Sequence, residues 1–147
     1  MTSTMTYENY IKARLVEFAV REAYHFGGTD CMTAIMQVIA NRVAAGWGEW
    51  MVVLDTADHY SGTVAPPGKR LDPRDVSFRR VLGLVDDIYL GTADASGVNI
   101  TDSRGDLKAL YYADLANLTR EWFQASVTDH LDRHPRIGNV GPLTFFA

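Results

Sequence analysis

Between Tyr7 and Val43 the apolar residues recur at steps of three and four in two successive runs, separated by the pair Gly27-Gly28. That spacing places each run along one face of an α-helix and commits the first third of the chain to two packed helices. The first helix is expected over residues 6–25, with Tyr7, Ile11, Leu15, Phe18 and Glu22 on its buried side. The second is expected to be capped by Thr29 or Asp30, whose side-chain oxygens suit the free N–H groups of a helix start. Its apolar stripe is Met32, Ile35, Met36, Ile39 and Val43.

Glu22 breaks the first run. Periodicity asks for an apolar residue there, and a carboxylate on that face loses solvation, which disfavours its charged form. A carboxylic acid kept protonated is what a general acid for glycosidic cleavage requires. Two structural readings stand beside that one: an ion pair with a basic residue, for which Arg42 is the candidate, or a side chain reaching solvent at the helix end.

Further along, a short helix is expected over residues 50–54. A loop or irregular β-excursion is expected at about 55–71, where Gly62, Gly68 and Pro66-Pro67 accumulate. Asp72 and Pro73 announce another helix. Val81, Leu84, Val85 and Ile88 carry its inner face, Arg79-Arg80 lie on a solvated face, and Gly91 provides a stop. After a polar turn region, a last helix is expected over 115–131. The tail, with Pro135, Gly138, Gly141 and Pro142, should be extended. Trp47, Trp50 and Trp122 read as core or hinge aromatics. The organisation is that of one mainly helical α+β domain over residues 1–147.

Bulk properties narrow the function classes. A net charge of -4 gives no support to nucleic-acid binding. No apolar run approaches a membrane span. Cys31 is the only cysteine, which excludes a disulfide framework or a cysteine zinc site and leaves a small buried hydrophobe. His130 and His134 are four apart, but no acidic ligand is placed with them and Pro135 follows at once. Neither His25 nor this pair makes a metal site, and no cofactor is called for. The N-terminal stretch lacks the apolar core of a secretory signal. Synthesis in the cytoplasm is therefore expected, with any work at the wall requiring release or delivery.

The stretch "EAYHFGGTDCMTAIMQVIANRV" (22–43) resembles the signature of the SleB-like cell wall hydrolases. That family has a Glu-Ala pair closing one helix, a glycine-bearing turn and a second helix ending in Asn-Arg-Val. Here these are Glu22-Ala23, Gly27-Gly28 and Asn41-Arg42-Val43. "DHYSG" is similar to the family's Gln-Phe-Ser segment, with His59, Tyr60 and Ser61 at those positions. "DLKALYYADL…EWF…RIGNVGPLTFFA" is similar to its C-terminal part. The resemblance runs from about 16 to 146.

It implies a lysozyme-like fold, cleavage of the glycan strands of peptidoglycan, and Glu22 as general acid/base. Tyr60, Ser61 and Tyr111 would line sugar subsites, with His59 and Tyr112 as further substrate contacts. Adjacent residues such as Tyr111 and Tyr112 diverge, so one of them should enter the core. Asn41, suited to capping a helix C-terminus, and Arg42 would give structural support. A second carboxylate could come from Asp55 or Asp58, whose plainer reading is as solvated loop acids. Without one, Glu22 would serve as acid and then as base, with a sugar hydroxyl attacking to give an anhydro product.

The chain also departs from the family pattern. The customary second Glu after the first is missing, His59 replaces a Gln, and "NVGPLT" replaces the usual terminal His. The rival expectation is a catalytically inactive, lysozyme-like structural or assembly component of a phage particle, contacting virion proteins. On the enzymatic reading, a phage product released at lysis or carried in a virion fits a chain of this kind.

Overall fold

A computed structural model describes residues 6–23, 28–60, 76–90, 109–113, 132–141 and 143–147. Their elements are α1 (Tyr7–Ala23), α2 (Gly28–Ala44), α3 (Trp50–Tyr60), α4 (Val76–Leu90), β1 (Tyr111–Ala113), β2 (Arg136–Val140) and β3 (Leu143–Phe146). The fold is mainly helical with a small antiparallel sheet.

α1 starts where Thr6 caps it, its Oγ1 accepting from the Asn9 N–H at 3.2 Å. Ile11, Leu15 and Phe18 are buried as the spacing requires, and Val16 and Ala19 join them. Tyr7 does not follow them. It is 46% exposed, because the whole first turn, residues 6–10, lies beyond the packed part of the helix. Two ionic clamps flank the apolar stripe. Lys12 bridges Glu8 and Asp86 of α4 at 2.8 and 2.7 Å, and Arg14 meets Asp55 of α3 at 2.5 Å.

α2 is the central element. Cys31, Met32, Ala34, Ile35, Met36, Val38 and Ile39 are all buried, so apolar residues wrap most of its circumference. A helix of that kind must be covered on several sides, and α1, α3, α4 and β2 all pack on it. It begins at Gly28, which puts Thr29 and Asp30 inside its first turn rather than at the cap.

The third helix is longer than the sequence suggests. Residues 55–60, expected in the loop, belong to α3. The cause is local: "DTADHY" holds no Gly or Pro, and Val53, Leu54 and Ala57 continue a buried face one turn past Leu54. On α4, Val85 and Ile88 are buried and Leu84 packs against the core. The remainder of the loop (61–71), the polar turn region, the Asp72-Pro73 start, the Gly91 stop, the helix over 115–131, Trp122, His25 and His130 lie outside the described residues.

The tail is extended, and it forms a sheet of order β1-β3-β2. β3 is the centre strand, and all four of its residues are buried. Phe146 lies opposite Tyr111 and Phe145 opposite Tyr112. β2 and β3 pair as a hairpin whose turn contains Gly141 at φ 53°, with an irregularity between Arg136 and Gly138. The Cys31 thiol donates to the Val140 carbonyl at 3.3 Å, tying α2 to the hairpin.

α2 holds the other edge of the sheet through two consecutive side chains. Asn41 Nδ2 donates to the Ala109 carbonyl at 2.9 Å, and Arg42 Nε donates to the Leu110 carbonyl at 2.8 Å. Asn41 therefore does not cap its helix. At 5% exposure it is a buried link between α2 and the chain entering β1.

Candidate functional site

Glu22 stands in the last turn of α1 and is half-buried. Its Oε1 is shut off from solvent and has no hydrogen-bond partner among the described residues. A buried acceptor left bare costs about 1–3 kcal/mol, and a carboxylate at a helix C-terminus also opposes the helix dipole.

No ion pair joins Glu22 to Arg42 or to any other described residue. Arg42 is nonetheless close enough to feel its charge. Burial pushes the Arg42 guanidinium below its usual range, opposed by Tyr112, Tyr111 and then Glu22. The guanidinium stays charged, held on the Leu110 carbonyl and stacked 5.1 Å from the Trp47 ring. A positive charge fixed by other partners thus stands near a carboxylate that it does not neutralise by contact.

Aromatic rings continue from Arg42. Trp47 lies 5.5 Å from Tyr111, and Tyr111 lies 4.2 Å from His134. His134 Nδ1 is 3.0 Å from the Ala147 carbonyl, which anchors that end of the row. Tyr112 turns the other way, 6.0 Å from Phe145 and against the core. The strand period of two separates the neighbours, so Tyr111 alone of the pair joins the row.

The remaining sequence candidates are placed as follows. Asp55 is on α3, exposed and bound by Arg14. Asp58, His59 and Tyr60 form the last turn of α3, and Ser61 lies outside the described residues. Asn41 and Arg42 dock the sheet edge. Among the described residues no cluster of His, Cys, Asp and Glu could hold a metal ion, and no helix is long and apolar enough to cross a membrane.

Two members of the row escaped the sequence reading. His134 was weighed only as a metal ligand, and Trp47 only as a core or hinge residue. Trp47 is 43% exposed. The available signal was the "AGWG" frame, a tryptophan between two glycines directly after a helix.

Set against known proteins, the chain matches no family model, no curated protein and no solved structure.

Proposed function

We propose that the chain cleaves the glycan strands of peptidoglycan on a lysozyme-like fold, with Glu22 as general acid/base. The observation that carries this reading is the buried Oε1 of Glu22, which no described residue meets with a hydrogen bond. The ordered resemblance to SleB-like hydrolases supports it independently. A mainly helical fold with a small sheet is compatible with it.

The reaction runs as a lytic transglycosylation. Glu22 gives its proton to the bridging glycosidic oxygen as the C1–O bond breaks, releasing one sugar as an alcohol. The carboxylate left behind then takes the proton of the C6 hydroxyl, which closes on C1. The product is a 1,6-anhydro sugar, and Glu22 regains its proton. One carboxylate suffices for this sequence. His59, Tyr60, Ser61 and Tyr111 bind the glycan. As a phage product, the protein would reach the wall at lysis or within a virion.

Isolated sacculi incubated with wild type and with Glu22→Gln provide the test. Wild type should release muropeptides ending in 1,6-anhydro groups by mass spectrometry, and the variant should be slower by about a hundredfold or more. Reducing ends instead would make the enzyme a muramidase with a water nucleophile. No release by folded wild type would refute catalysis and favour an inactive structural component of a phage particle.

A further inference from the structure

The helix ending that carries Trp47 is a Schellman motif. The Trp47 N–H bonds to the Arg42 carbonyl and the Gly46 N–H to the Val43 carbonyl, both at 3.1 Å, with Gly46 at φ 87°. In such motifs the residue after the glycine usually makes an apolar contact back onto the helix. Here the partner at that position is Arg42, and the contact is cation–π. Gly48 follows at φ 141°, so both neighbours of Trp47 occupy conformations that L side chains rarely adopt. An added Cβ at Gly48 would also meet Val52 Cγ1 at 3.1 Å.

The backbone is thus set on both sides of an indole that stays 43% exposed. Its ring lies beside Tyr111 and over the cation that feels Glu22. An apolar ring with a polar N–H edge, rigidly presented and backed by charge, matches the amphipathic surface of a pyranose. Trp50, by contrast, is stacked on Tyr89 at 5.1 Å and packs against the core.

We propose that Trp47 is a sugar-stacking platform, taking the C–H face of an N-acetylated pyranose of the glycan strand. This rests on the glycan-cleaving reading of the protein. The experiment is a titration of 15N-labelled protein with the β-1,4-linked trisaccharide of N-acetylglucosamine, following indole N–H resonances. The Trp47 signal is assigned by its loss in Trp47→Phe. The Trp47 resonance should shift on sugar addition while that of Trp50 stays in place. Trp47→Ala should bind the sugar about tenfold more weakly, with Trp47→Tyr restoring most of the affinity. A Trp47 resonance unmoved by the sugar, or wild-type affinity in a folded Trp47→Ala protein, overturns the proposal. Sacculus release by wild type and Glu22→Gln reads the cleavage separately. Release with an unmoved Trp47 signal removes the platform and leaves the enzyme, whereas a shifted signal without release removes the enzyme and leaves a glycan-binding surface.

Discussion

Replacing Asn41 by alanine tests whether the sheet edge is held to α2 by the polar link described above. The substitution removes the bond to Ala109 and the one that Asn41 Oδ1 accepts from Gln37 Nε2 at 3.0 Å. Each hydrogen bond contributes about 1 kcal/mol net, and leaving the buried Ala109 carbonyl bare adds about 1–3 kcal/mol. The expected loss is therefore about 3–5 kcal/mol, or roughly 10–15 °C in Tm for a chain of this length. Urea denaturation followed by circular dichroism measures it, and an unchanged m-value confirms that the folded and unfolded states are otherwise comparable. Gln37→Met is the paired control. Gln37 Oε1 is itself buried without a partner among the described residues, so removing that amide gives up one bond and exchanges its unmet acceptor for that of Asn41 Oδ1, and the loss should be about 1 kcal/mol. If Asn41→Ala costs no more than Gln37→Met, the Asn41–Ala109 bond is not what docks the strand, and the account of the sheet edge fails.

Burial, with help from the Asp30 charge, raises the Cys31 thiol above its usual range, so iodoacetamide should leave Cys31 unmodified in native protein and label it in urea. Rapid native labelling would contradict the packing of α2. Hydrogen bonds that Lys12 donates to Asp86 and then Glu8 raise its ammonium above its ordinary 10.5. The stability it adds is complete below pH 10.5 and is lost as pH climbs through the folded value. The Tm gap between wild type and Lys12→Gln should accordingly be flat at neutral pH and close only in strong alkali; a gap that closes on acidification to neutrality would reverse the sign. Gly48→Ala combines an unfavourable φ with the Val52 contact and should lose about 1–3 kcal/mol. Gly46→Ala, with open space around its added Cβ, should lose less in the same denaturation assay.

The helices were legible because their apolar spacing is dense and long. α1 and α2 follow directly from Ile11, Leu15, Phe18 and from Met32, Ile35, Met36, Ile39. Where the reading stopped short, the signal was weak for a physical reason. Asp55 to Tyr60 carries polar residues and borders a Gly/Pro-rich stretch of sequence, so its one buried turn, closed by Ala57, gives little periodic contrast. The sheet was visible only as an extended tail, since three short strands of which the central one is wholly buried produce no alternation. Which of Tyr111 and Tyr112 faces the row depends on strand pairing with β3, which is set by residues more than thirty positions away. Trp47 was misplaced because composition reports how apolar a side chain is and not which way a helix ending points it.

The motif residues do not all bear equally on function. Asn41 and Arg42 lie in the stretch read as resembling a hydrolase signature, yet each makes a hydrogen bond that the fold needs whether or not the protein is an enzyme. Their presence therefore does not separate a hydrolase from an inactive scaffold. Glu22 behaves differently. It forms no ion pair with a described residue, and its inner oxygen meets no donor among them. A structural role for Glu22 predicts that Glu22→Gln destabilises the fold. A catalytic role predicts a variant about as stable as wild type, because the amide keeps the shape of the acid and no partner is lost. Thermal melting of Glu22→Gln thus bears on function before any substrate is added: a Tm several degrees below wild type would point to a partner the carboxylate holds, and would count against its use as a catalyst.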